Sequence, residues 1–156
     1  NRTAMLGLGV EGCRVAVSPR DHPSVQSAAA ELAARGHAVR TLPLEPDGTL
    51  SRVALADEIE SAGACGLLLT VTPVCGQTGL RDASPKAGIP VVIHADATQA
   101  AAWDALEFAS SAWTSMTLAP HKFGGSRGIG ALVVRGSVPI SPLLPGSQEL
   151  GLRGGT

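Results

Sequence analysis

Tyrosine is absent from this 156-residue sequence and aromatic residues make up only 3% of it, so the 44% hydrophobic content is almost wholly aliphatic. Cysteine is scarce and odd in number. Cys13, Cys65 and Cys75 show no CxxC spacing, which excludes a recognisable disulfide framework or zinc site and leaves reduced thiols as the natural reading. Charge of one sign is lacking as well. A formal net charge of -1 offers no electrostatic case for binding nucleic acid or an anionic membrane, both of which need clustered Lys and Arg. A small-molecule ligand is the better expectation. No apolar run approaches the roughly 20 residues that span a bilayer, and Asn1-Arg2-Thr3 does not open a secretory signal, so the sequence reads as cytoplasmic. The chain opens without Met and closes on Gly154-Gly155-Thr156, which suggests a fragment.

What is present suits one compact domain. The 19 Gly and 11 Pro punctuate segments in which strand and helix patterns alternate. Arg14 to Pro19 alternates as a strand. His22 to Gly36 carries Ala and Leu at helical spacing, with Gly36 as its stop. Strands are expected at His37 to Leu44, Cys65 to Val71, Pro90 to His94, Thr114 to Ala119 and Ile129 to Arg135. Helices are expected at Leu50 to Ala62 and, more weakly patterned, at Asp104 to Ser111. The alternation predicts an α/β fold with a mainly parallel sheet and helices on both faces. In such sheets ligands gather outside the carboxyl ends of strands, which directs attention to His94-Ala95-Asp96 and to Ala119-Pro120-His121-Lys122.

Gly7-Leu8-Gly9-Val10-Glu11-Gly12 matches the dinucleotide fingerprint GxGxxG, but no strand precedes it and a strand rather than a helix follows. The segment reads as a loop between helix and strand. His94 and Asp96 form an HxD pair without a third ligand nearby, which argues against a metal. Lys122 differs from a solvated surface lysine in following an apolar strand and preceding the glycine-rich Phe123 to Gly130. A lysine amine that can condense with pyridoxal 5'-phosphate (PLP), and a carboxylate that keeps the pyridine nitrogen protonated, are the two groups PLP chemistry requires. Lys122 and Asp96 are candidates for them.

Four segments resemble motifs of the NifS-like cysteine desulfurases, in the PLP-dependent class V aminotransferase group, and in family order. Arg20-Asp21-His22-Pro23-Ser24-Val25 is similar to (S/T)xEHPAV, with Asp21 in place of the usual Glu. His94-Ala95-Asp96-Ala97-Thr98-Gln99 resembles HTDAVQ, and Pro120 to Leu132 resembles HKxxGPKGxGALY. Gly146 to Thr156 looks like GGQExGxRxGT. The resemblance implies that His22 stacks on the pyridine ring, Asp96 pairs with its nitrogen and Gln99 approaches its phenolic oxygen. It further implies that His121 contacts the phosphate, that Lys122 forms the Schiff base and that Thr156 reaches the phosphate in a neighbouring subunit.

By the same resemblance, residues 1–156 are part of a PLP-binding large domain, without the phosphate-cradling turn before Asn1 and the small domain after Thr156. The implied activity converts cysteine to alanine and an enzyme persulfide, in a homodimer that hands sulfur to an acceptor protein. Cys75-Gly76 departs from the family's Asn-Asn, Ala119 replaces a Ser that contacts phosphate, and Gly79 to His94 is shorter than usual. Another class V reaction, transamination or β-elimination, and a degenerate subunit without catalysis are the alternatives. Among the cysteines only Cys75 falls at a position beside the cofactor.

Overall fold

A computed structural model describes residues 1–9, 11–82 and 91–152. Six strands form one sheet: β1 (Arg14–Val17), β2 (Val39–Thr41), β3 (Leu67–Val71), β4 (Val91–Asp96), β5 (Ser115–Leu118) and β6 (Ala131–Val134), in the order β2-β1-β3-β4-β5-β6. The first five are parallel, and β6 returns antiparallel to β5. The expected mainly parallel sheet is therefore present.

Helices cover both faces. α1 (Arg2–Leu8) and α2 (Pro23–Ala34) pack on the face that carries Val15, Val17 and Leu68, and α3 (Arg52–Ala62) supplies Ala54 and Ala62 to the face that carries Leu67, Leu69, Ile93 and Ala95. Alternation along each strand produces this division, because successive side chains point to opposite faces. β3 is central and buried along its whole length, as its unbroken apolar sequence requires.

Local chemistry sets the helix ends. His22 caps α2 by accepting from the Ser24 N–H, Pro23 sits in its first turn, and the chain leaves through Gly36 at φ +92°. Ser51 caps α3, which stops at Gly63. Gly7 lies within α1 rather than in a loop. A Cβ there would stand 2.6 Å from the Ser141 carbonyl oxygen, so this glycine permits the 140–141 segment to cross the helix. Gly9 and Gly12 do lie between α1 and β1, as the reading of that segment expected.

Two expected elements differ. The expected Asp104 to Ser111 helix is a series of turns, held from across the chain by the Arg135 guanidinium. It donates to the carbonyl oxygens of Phe108, Ser111 and Trp113 at 2.6–2.9 Å and stacks 5.0 Å from the Phe108 ring centre. The expected strand from His37 to Leu44 shrinks to β2, since it borders only β1 and Pro43 has no N–H to continue the ladder.

The sheet order reverses at β1. The chain leaves β1 toward β2 on one side and leaves β3 toward β4 on the other, so a crevice opens between the two departing loops.

Candidate functional site

At the carboxyl ends of β1, β3, β4 and β5 the departing loops enclose a cavity of about 1230 Å³. This exceeds the few hundred Å³ that a cofactor-sized ligand needs. His22, Asp96, Gln99, His121 and Lys122 all line it, although they are up to 100 residues apart in sequence (122 − 22 = 100). They arrive from the ends of three strands. His22 follows β1 and begins α2, Asp96 ends β4, Gln99 enters the short turn after it, and His121 and Lys122 lie in the 3-10 turn Pro120–Lys122 after β5. Thr156 lies outside the described residues.

Asp96 is 7% exposed. Its carboxylate accepts from the Asn1 Nδ2 at 2.8 Å and from the Thr98 N–H at 3.2 Å, which leaves lone pairs for one further donor. The side chains of Lys122 and His121 are exposed and make no hydrogen bond or ion pair among the described residues. Gln99 is seated by Gly76, where a Cβ would stand 2.9 Å from Gln99 Nε2.

Register, rather than any motif, assembles the polar floor beneath these groups. His94 pairs with Ser115 and Asp96 with Thr117 across β4 and β5, and Thr70 of β3 pairs with His94 on the other side. The HxD spacing therefore places His94 and Asp96 on one face, where both bond Asn1. Among the described residues no cluster of His, Cys, Asp and Glu could hold a metal. His94 is fully buried, and that burial depresses its pKa to about 3.

A pH dependence follows. A histidine with a folded pKa below its unfolded value of about 6.5 contributes stability that is present above pH 6.5 and is lost as pH falls toward 3. The cost is roughly 2 kcal/mol between pH 7 and pH 5. Chemical denaturation at those two pH values should show this loss, and His94→Gln should reduce it by that amount whatever its offset at pH 7. An equal pH slope in both proteins would refute the assignment.

Asp21 was legible only as a departure from a motif, yet it ties the β1–α2 loop to the sheet. Its carboxylate accepts from the Ser18 N–H at 2.8 Å, Thr70 Oγ1 at 2.5 Å and Thr72 Oγ1 at 2.7 Å. Burial pushes its pKa upward against those three bonds. Asn1, Ser24 and Thr117 were missed altogether, because a single polar residue carries no signal until pairing brings it to the site.

The match to the family model for class-V aminotransferases runs over residues 4–151, nearly the whole chain. The chain belongs to the class-V aminotransferase family. An IscS-like cysteine desulfurase from Mycobacterium tuberculosis (strain ATCC 25618 / H37Rv) is 34% identical over 131 residues, covering 78% of this chain and 32% of that protein. A cysteine desulfurase from Sinorhizobium fredii (strain NBRC 101917 / NGR234) is 30% identical over 167 residues, covering all of this chain and 42% of the relative. The crystal structure of DndA from Streptomyces lividans superposes with a TM-score of 0.84 at 26% identity, over 99% of this chain and 47% of that one. The chain thus spans about a third to two fifths of the length of these curated relatives.

In this class-V aminotransferase family member, the departures at Cys75-Gly76 and Ala119 both face the cavity. Cys75 is 2% exposed. Burial raises its pKa, but hydrogen bonds from the Thr78 hydroxyl and the N–H groups of Gln77 and Thr78, with the nearby Arg20 charge, outweigh that and hold the thiol below its ordinary value. Part of the shortened stretch between Gly79 and His94, residues 83–90, lies outside the described residues.

Proposed function

We propose that this chain is the cofactor-binding part of a PLP-dependent cysteine desulfurase, within a longer protein that works as a homodimer in the cytoplasm. The observation that carries the reading is the meeting of Lys122, Asp96, His22, Gln99 and His121 around one cavity. The likeness to relatives named cysteine desulfurase favours this activity over transamination or β-elimination.

The residues present fit the cofactor. Asp96 is a nearly buried carboxylate with spare acceptor capacity, and Lys122 is an amine without a competing partner. When bound, PLP supplies a carbonyl carbon for amines and an electron sink for the substrate's Cα. Lys122 would hold the cofactor through its Nζ and, once freed, move the Cα proton. Asp96 would keep the proton on the pyridine nitrogen, His22 would cover a ring face, Gln99 would meet the phenolic oxygen and His121 the phosphate. Thr156 would serve the site of the partner subunit. Cysteine would leave as alanine, its sulfur retained on an enzyme thiol as a persulfide and passed to an acceptor protein.

Incubating the full-length protein with PLP, reducing with borohydride and mapping the labelled peptide tests this reading. The label is expected on Lys122. Labelling elsewhere, or none, would favour the non-catalytic alternative, which the loss of an amide at Cys75 and of a hydroxyl at Ala119 makes specific.

Gly76 offers a second test. A methyl group there meets only the end of a flexible side chain, so Gly76→Ala should leave the thermal midpoint within about 2 °C while pushing Gln99 out of place. PLP affinity, followed by fluorescence titration, should fall severalfold. Unchanged affinity would remove Gln99 from the cofactor contacts.

A further inference from the structure

We propose that His94 is a positioning residue of the site: as an uncharged imidazole donating from Nε2, it orients the Asn1 amide, and through it both the Asp96 carboxylate and the His22 ring. The inference rests on the proposed function for its consequence, but the network itself is defined by hydrogen bonds already in the chain.

The direction of every bond follows from one fixed point. The Asp96 carboxylate only accepts, so the amide end 2.8 Å from its Oδ2 is Asn1 Nδ2. Asn1 Oδ1 then faces Thr117 Oγ1 at 2.6 Å and His94 Nε2 at 3.0 Å. An amide oxygen cannot donate, so His94 carries its proton on Nε2. Its Nδ1, 2.8 Å from Ser115 Oγ, is left to accept from that hydroxyl. Asn1 Nδ2 also donates to Ser24 Oγ at 2.8 Å, which frees the Ser24 proton for His22 Nδ1, likewise at 2.8 Å. The neutral His22 ring therefore carries its proton on Nε2.

The arrangement holds several groups that no motif reading connects. Asn1 flanks α1 as its N-cap but makes no capping bond with its side chain, because both ends of the amide are engaged at the sheet. Protonating His94 Nδ1 would reverse the Ser115 bond and place a charge at 0% exposure, so the ring is held neutral as the network requires. The groups facing His94 are Ser115 and Thr117 from β5, Asp96 from its own strand, Thr70 from β3 and Asn1 from the start of α1. Among these side chains Asp96 is the one other titratable group, and its charge opposes the effect of burial on His94.

The test uses full-length protein, cofactor-free and PLP-loaded, as wild type and as His94→Gln, His94→Leu and Ser115→Ala. In cofactor-free wild type, long-range proton–nitrogen NMR of the imidazoles should find His94 neutral with its proton on Nε2 from pH 8 to pH 5, and neutral His22 in the same tautomer. Ser115→Ala, which the fold accommodates more readily than a change at His94, should mix the His94 tautomers. With nitrogen-labelled PLP bound, His94→Leu should lower cofactor affinity about tenfold and move the ring-nitrogen signal toward its unprotonated value, as for loss of one bond in a charged network. His94→Gln, which can still donate to Asn1, should remain within about twofold of wild type. A His94 proton on Nδ1, or a charged His94 at pH 6, would overturn the proposal. So would a folded His94→Leu protein with unaltered affinity and ring-nitrogen signal; if that variant does not fold, the same two readings on Ser115→Ala decide. Wild type that takes up no PLP would overturn the functional reading instead, with the tautomers still deciding the network.

Discussion

Lys122→Ala in the full-length protein should abolish the visible absorbance of lysine-bound cofactor and all borohydride-trapped label, while the unfolding midpoint stays within about 2 °C of wild type. The large effect and the small one have separate causes. The Lys122 side chain is exposed in the turn after β5 and makes no hydrogen bond or ion pair among the described residues, so truncating it breaks none. Its amine is nonetheless the group that would join the cofactor covalently, and among the described residues no other lysine lines the cavity. Turnover of cysteine to alanine should fall to background with the band. A variant that keeps the band would place the attachment on another residue and remove Lys122 from the role.

Asp96→Asn should reduce turnover by roughly 100- to 1,000-fold, the range seen when one preorganised electrostatic partner is removed. Cofactor should still attach to Lys122, because the carboxylate acts at the other end of the ring. The substitution is nearly isosteric, and the Thr98 N–H can keep its acceptor. It does, however, set an amide against Asn1 Nδ2, so one donor in a nearly buried place loses its partner. Part of the loss should therefore appear as a modest drop in stability, measurable by denaturation of the cofactor-free protein. Wild-type turnover in Asp96→Asn would show that the pyridine nitrogen does not depend on this carboxylate.

The sheet was legible because its signals are local. Leu67 to Val71 is an unbroken apolar run that suits only a strand buried on both sides, and Pro23 and Gly36 bracket the α2 segment with chemistry that belongs to helix ends. The Asp104 to Ser111 segment, expected as a helix, is a series of turns whose Phe108 and Ser111 carbonyl oxygens accept from Arg135, 24 to 27 residues further on, a contact that no short window of sequence contains. Strand alternation puts His94 and Asp96 on one face, but what they face depends on which strand lies alongside and in what register.

By itself the sequence determined the alternating α/β pattern, the mainly parallel sheet, the strand ends that carry Asp96 and Lys122, and through its motifs the family. These are properties of periodicity and of short segments, which survive in a one-dimensional reading because each residue's constraint lies within a few neighbours. Only the tertiary structure decided that Asn1 stands between His94 and Asp96, that Asp21 is tied to Thr70 and Thr72, and that Ser24 links the floor of the cavity to His22. Those bonds join residues 49 to 95 positions apart in all but the last case, and a side chain's hydrogen-bond partner is set by strand order and register, to which its own neighbours in sequence are indifferent.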